Sequence, residues 1–119
     1  MAAKNYLDIL RNEFEAGNDS FLIQLRGDLV WSKQAFAHLV SAMQDCCLDL
    51  EGAERVDRWL ANGFWYVAWF VESWTAHGDF PRKFPDQYYK DAYLLLSELA
   101  SYFFTGEHPR LDRRFRLPE

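Results

Sequence analysis

The sequence has little cysteine and no long apolar run, and these two absences exclude several classes of protein. Its two cysteines, Cys46 and Cys47, are adjacent, so a bond between them would require a strained ring and no disulfide framework is available. The longest apolar run, residues 64–71, is far shorter than the roughly 20 residues that span a bilayer. The N-terminus shows no apolar signal segment. We therefore expect a soluble cytoplasmic protein without a membrane partner.

Motifs for catalysis and for cofactor binding are also missing. The sequence contains no Gly-x-Ser-x-Gly elbow, no phosphate-binding glycine loop, no His-Glu-x-x-His and no pair of Glu-x-x-His segments. We predict a protein that is not an enzyme and that binds neither cofactor nor metal. The alternative is a metal-dependent enzyme that uses His77 with Asp79 and Glu72, although a histidine in the last turn of a helix more often caps carbonyl groups. Cys47 lies on an apolar stripe, which favours core packing over redox chemistry.

Basic residues are outnumbered, so the chain carries a formal charge of −5. This charge disfavours nonspecific nucleic-acid binding, which requires a basic face to neutralise phosphates. Residues 1–106 contain 9 basic and 15 acidic residues and are predicted to form the folded domain, whereas residues 107–119 form a basic C-terminal tail with four arginines. We expect the tail either to fray or to pack on the surface through Leu111, Phe115 and Leu117, with its arginines on acidic groups such as Glu51.

Apolar residues recur every three or four positions along most of the chain, which predicts an all-α fold with no competing strand pattern. Short connections make neighbouring helices antiparallel, so we predict a single compact bundle of five to six helices. The helix over 64–77 is apolar nearly all round, which is typical of an aromatic-rich central helix. The predicted helices cover residues 4–16, 20–30, 32–50, 54–60, 64–77 and 86–105.

For two of these predicted helices, the sequence leaves a second interpretation open. Residues 21–25 alone could form a strand, although Asp19 and Ser20 favour a helix start. Asn62 and Gly63 supply the left-handed signal that ends many helices, which separates the fourth predicted helix from the fifth. One helix that runs through Gly63 is the alternative, at a cost of about 1 kcal/mol for glycine in its interior.

The 21 aromatic residues are the unusual feature of this composition. A domain of this size does not easily bury all of them, and rigid rings in a polar rim are typical of protein interfaces. Core packing is the default interpretation, and a partner groove or a homodimer face is the alternative. The candidate partner-binding residues are Trp65, Tyr66, Trp69, Asp86, Tyr88 and Tyr89.

Aromatic residues and prolines in the second half of the chain resemble those of small uncharacterised bacterial all-helical proteins. Some proteins of that kind look like immunity proteins of bacterial toxin systems. The residues that carry the resemblance are 59–66, Trp74, Phe80 and Pro81, Tyr88 and Tyr89, Ala92 and Tyr93, and 102–109. The resemblance implies a stoichiometric binder that masks a toxin, often a basic nuclease, with an acidic surface.

Two functional hypotheses from different classes follow. The leading one is a non-enzymatic, protein-binding helical domain of the immunity or inhibitor type, whose partner could be a basic toxin and which could also form a homodimer. Acidic side chains would steer the partner and aromatic anchors would hold it. The alternative is a small-molecule-binding or regulatory bundle with an aromatic pocket between its helices.

Overall fold

A computed structural model describes residues 5–119, so the predicted helix start at Lys4 lies outside the described residues. Over that range the chain is all-helical. The helices are α1 (Asn5–Phe14), α2 (Phe21–Ile23), α3 (Lys33–Asp49), α4 (Arg58–Thr75) and α5 (Asp86–Thr105), with a π-helical turn over Gln24–Asp28 after α2.

Helices α3 and α5 confirm the sequence predictions because their end signals are local. The Ser32 hydroxyl accepts a hydrogen bond from the backbone nitrogen of Ala35 at 3.1 Å, which caps the start of α3. Gly106 adopts the left-handed conformation (φ 75°) that ends α5, and its N–H donates to the Tyr102 carbonyl. Helix α3 ends at Asp49 with Leu50 as its C-terminal cap, one residue before the predicted end.

The prediction that Asn62 and Gly63 separate two helices is wrong, because α4 continues through both residues. The structure gives the reason that glycine is present. A Cβ atom on Gly63 would overlap the ring of Phe14, which packs edge-on against Trp59 and Phe64. Gly63 therefore lets α1 approach α4 closely and does not end a helix.

Residues 15–31 depart furthest from the predicted helix over 20–30. Ser20 caps α2 as expected, but the helix lasts only three residues before it widens into the π-helical turn. Leu29 follows in the left-handed conformation with φ 54°, which costs energy for a residue with a Cβ atom. After the end of α1, Ala16 also adopts the left-handed conformation, with φ 53°.

Side chains from all five helices meet in one hydrophobic core. Helices α4 and α5 run antiparallel, with Phe64 stacked on Phe103 at 4.3 Å near one end and the Thr75 and Tyr93 hydroxyls 2.6 Å apart near the other. The Cα radius of gyration is 13.9 Å, close to the roughly 13.5 Å expected of a compact chain of this length.

Residues 107–119 contain no helix and lie against α5 and the loop after α3. Arg113 forms an ion pair with Glu51 at 2.8 Å, which agrees with the expectation that tail arginines fold back on acidic groups. Phe115 packs on His108 with ring centroids 4.5 Å apart. The predicted role of Leu111 as an anchor is wrong, because its side chain is fully exposed.

Candidate functional site

Helix α4 presents three aromatic side chains on its outer side, Trp65, Tyr66 and Trp69, which we call the α4 aromatic surface. Trp65 is 56% exposed and Trp69 is 54% exposed. Their rings are parallel within 2° and their centroids are 5.9 Å apart, while Tyr66 lies tilted 6.0 Å from Trp69. The structure thus brings together three of the six predicted partner-binding residues.

The spacing along α4 explains why these rings face outward. Residues four positions apart lie one above the other on a helix, so Trp65 and Trp69 share a face. The opposite face carries Phe64, Val67 and Val71, all fully buried in the core. The side of α4 that carries Trp65 and Trp69 is left half-exposed by the other described helices.

Trp74 lies in the last turn of α4. Its side chain is 38% exposed, and its indole nitrogen donates to the Leu25 carbonyl at 2.9 Å. Leu25 lies in the π-helical turn, where the backbone hydrogen bonds of a regular α-helix are interrupted and carbonyls become available to side chains. One ring face of Trp74 stacks on Phe70 with centroids 5.5 Å apart.

Next to Trp74 lies a cavity of about 290 Å³, which we call the Trp74 cavity. The backbone nitrogen of Asp79 donates to Nδ1 of His77 at 3.2 Å, and that of Phe80 donates to the His77 carbonyl at 3.0 Å. These two bonds fix the turn that closes one side of the cavity. The residues that line it are Leu29, Ser73, Trp74, His77, Asp79 and Phe80.

The other three predicted partner-binding residues lie elsewhere. Tyr88 and Tyr89 are buried in the core, where both pack edge-on against Trp31, so they do not belong to an exposed surface. The Tyr88 hydroxyl accepts from the Trp31 indole nitrogen at 3.0 Å, and burial raises the pKa of this phenol. Asp86 is exposed in the first turn of α5 and pairs with Arg82 at 3.3 Å.

The other candidate residues for chemistry form no reactive cluster. Across residues 5–119, no three or more His, Cys, Asp or Glu side chains are placed to hold a metal ion. His77 lies beyond the end of α4, and its Nδ1 accepts a hydrogen bond from Asp79 without capping a helix carbonyl. Cys46 and Cys47 are both buried in the core, and burial raises the pKa of the Cys47 thiol.

A second, larger cavity of about 550 Å³ lies between α5 and residues 110–119. Its walls carry both signs of charge, with Asp91 and Glu98 on α5 and Arg110 and Arg116 on the C-terminal segment. Arg110 is held by Glu98 at 3.0 Å.

The described helices include none that is both long and apolar enough to cross a membrane.

Comparison of the chain with protein-family models, with curated proteins and with solved structures finds no match.

Proposed function

We propose that this chain is a non-enzymatic helical domain that binds a protein partner through the α4 aromatic surface. The observation that supports the proposal is the pair of parallel, half-exposed tryptophans Trp65 and Trp69, with Tyr66 beside them. In this proposal α4 is the central helix of a bundle, with one face in the core and the other on the partner.

The exposure of these rings has an energetic cost that a partner would remove. A tryptophan side chain offers about 150 to 250 Å² of mostly apolar area. Burying the exposed half of two such rings stabilises a complex by several kcal/mol, at about 25 cal/mol per Å². Both rings are already stacked on each other, so little conformational entropy is lost on binding. Trp and Tyr are the residue types that most often dominate the binding energy of an interface.

The charge of the chain favours a basic partner. A net charge of −5 attracts positively charged proteins over distances of about a Debye length and increases their association rate. We therefore propose an immunity or inhibitor type of protein in the cytoplasm, which neutralises a basic toxin by occupying its surface. This is the function that the sequence resemblance implies.

Affinity capture from cells of the source organism, followed by calorimetry with the identified partner, tests the proposal. The variant Trp65→Ala/Trp69→Ala should bind the partner at least about 100-fold more weakly, since two hot-spot residues together contribute 3 kcal/mol or more. The matched control is Leu48→Ala, because Leu48 is 53% exposed and lies on α3. It should bind like the unmodified chain.

Equal affinities of the double variant and the unmodified chain for the partner would show that the partner does not bind the α4 aromatic surface.

Sedimentation velocity tests whether the partner is a second copy of the chain. If the unmodified chain is a dimer and the double variant is a monomer of unchanged helix content, then the partner is a second copy of the chain.

The cavity between α5 and residues 110–119 supports a second candidate, a small-molecule-binding or regulatory domain. Its volume of about 550 Å³ lies within the roughly 300 to 1,000 Å³ of ligand sites. Its walls combine charged groups with aliphatic side chains such as Leu94 and Leu95, so it differs from the aromatic pocket expected from the sequence. A metabolite screen by thermal shift tests this candidate. Stabilisation that Arg116→Ala abolishes and Trp65→Ala leaves unchanged would favour it over protein binding.

A further inference from the structure

The Trp74 cavity has the size of one side chain and the walls of a cation site. Its volume of about 290 Å³ falls just below the roughly 300 Å³ at which small-molecule sites begin. The rings of Trp74 and Phe80 form part of its wall, and the negative faces of aromatic rings attract cations. The Asp79 side chain lines the same cavity and is 96% exposed, so it provides negative charge beside the rings.

Elsewhere in the described chain, several rings already carry a cation of the protein itself. Arg11 lies 3.9 Å from the centroid of the Trp59 ring, and Arg82 lies 4.2 Å from that of Tyr89. Lys33 lies within 5 Å of the Phe84 and Tyr88 rings. Of the residues described here, no lysine or arginine lines the Trp74 cavity. The nearest basic side chain in the cavity is that of His77, whose Nδ1 lies 3.8 Å from the Asp79 carboxylate and accepts the Asp79 N–H. The rings and the carboxylate thus form a site to which the chain brings no permanently charged cation.

We propose that the Trp74 cavity receives an arginine side chain of the protein partner. The guanidinium group would stack on the Trp74 ring with its charge near Asp79, because a planar and weakly hydrated cation suits a stacked site better than an ammonium group does. Ser73 and Trp69 are four positions apart on α4, so the cavity adjoins the α4 aromatic surface. This inference rests on the proposed function and adds the chemistry of one anchor residue.

The neighbouring backbone keeps the cavity open before any ligand binds. The indole of Trp74 is fixed by its bond to the Leu25 carbonyl, and Leu29, which also lines the cavity, adopts a left-handed conformation. The turn from His77 to Phe80 is fixed by the two hydrogen bonds described above. A preformed site spares the partner the cost of ordering these groups.

A matched pair of probes tests the inference. N-acetyl-L-arginine methylamide carries the cation, and N-acetyl-L-citrulline methylamide has nearly the same shape without the charge. In ¹⁵N spectra at pH 7.5, the arginine probe should shift the indole N–H signal of Trp74, assigned with Trp74→Phe, with a Kd on the order of 1 mM. The citrulline probe should bind at least fivefold more weakly, and Asp79→Asn should reduce arginine binding to the citrulline level.

Asp86→Asn is the control variant, because Asp86 is also an exposed carboxylate but pairs with Arg82. It should leave arginine binding unchanged. Equal shifts of the Trp74 indole signal with both probes would overturn the inference. So would shifts with the arginine probe that affect other signals but not that of Trp74. The two proposals fail in different ways. If partner binding is lost in Trp65→Ala/Trp69→Ala but is unchanged in Asp79→Asn, the protein-binding function stands and only the arginine site is wrong.

Discussion

The carboxylate of Glu13 accepts the backbone N–H of Phe21 with both oxygens, at 3.0 and 3.2 Å. Glu13 is 4% exposed and belongs to α1, while Phe21 begins α2, so this contact ties the two helices together inside the core. Burial raises the pKa of Glu13 from 4.5 to about 7. The cost of desolvating the charged carboxylate outweighs the hydrogen bonds from the backbone of Phe21 and Leu22, which lower the pKa.

The raised pKa predicts that the stability of the protein decreases between about pH 4.5 and pH 7. Within this window the folded state holds a proton on Glu13 that the unfolded state has lost, so the free energy of unfolding falls as pH rises. The contribution of about 3 kcal/mol is fully present below pH 4.5 and absent above pH 7. Urea denaturation at pH 5, 6, 7 and 8 measures this decrease.

The variant Glu13→Gln should remove most of the decrease, since an amide stays neutral and its oxygen still accepts from Phe21. The control is Glu15→Gln, because Glu15 is exposed directly after α1 and pairs with Arg11 of that helix. That variant should keep the pH dependence of the unmodified chain. Identical pH profiles for Glu13→Gln and the unmodified chain would contradict the prediction.

Gly63 is predicted to tolerate no side chain. A Cβ atom there would overlap the Phe14 ring, so Gly63→Ala should destabilise the protein by about 1 to 3 kcal/mol through overpacking. This outweighs the gain of about 1 kcal/mol that alanine gives over glycine inside a helix. Thermal and urea denaturation measure the change.

A double-mutant cycle with Phe14→Ala separates the clash from other effects of the substitution. In the Phe14→Ala background, Gly63→Ala should no longer destabilise, because the overlapping ring is gone. Gly27→Ala is the matched control, as its Cβ would meet no atom within 4 Å. A cost of Gly63→Ala that persists without the Phe14 ring would show that the close approach is not the reason for glycine.

The contact between Gly63 and Phe14 shows why sequence patterns predicted only part of the fold. The Ser32 cap and the Gly106 stop depend on residues within one turn, so α3 and α5 could be predicted from the sequence. Gly63 carried the local signal of a helix end, but contact with Phe14, 49 positions away, determines its role. The π-helical turn likewise depends on distant partners of its backbone, such as the Trp74 indole, and no local pattern encodes them.

The candidate site was predictable to a similar degree. Trp65 and Trp69 were identified because an apolar helix of nearly uniform composition has more than one apolar face. Tyr88 and Tyr89 were included wrongly, since their burial results from Trp31, which a linear pattern does not connect to α5. The Trp74 cavity was not predicted either, because its walls combine residues 73–80 with Leu29, which is distant in the sequence.

Tyr88 is predicted to matter for stability and not for binding. Removing its hydroxyl in Tyr88→Phe leaves the buried indole N–H of Trp31 without an acceptor, which should cost about 1 to 3 kcal/mol. Tyr66→Phe is the control on the α4 aromatic surface and should change the free energy of unfolding by less than about 0.5 kcal/mol. If Tyr88→Phe were as stable as the unmodified chain, the buried Trp31–Tyr88 bond would not be significant.

The C-terminal segment is predicted to be dispensable for folding. Its contacts with the helices include the partly exposed Arg110–Glu98 pair and the packing of Phe115 on Tyr102, and each contributes about 1 kcal/mol or less. A chain of residues 1–106 should therefore keep its helical circular dichroism and unfold cooperatively, with a loss of about 2 kcal/mol. Arg114→Ala in the full chain is the control and should be neutral. Partly exposed contacts of this kind are too weak to determine whether the core forms. Loss of cooperative unfolding in the shortened chain would therefore contradict the prediction and show that residues 107–119 are an integral part of the domain.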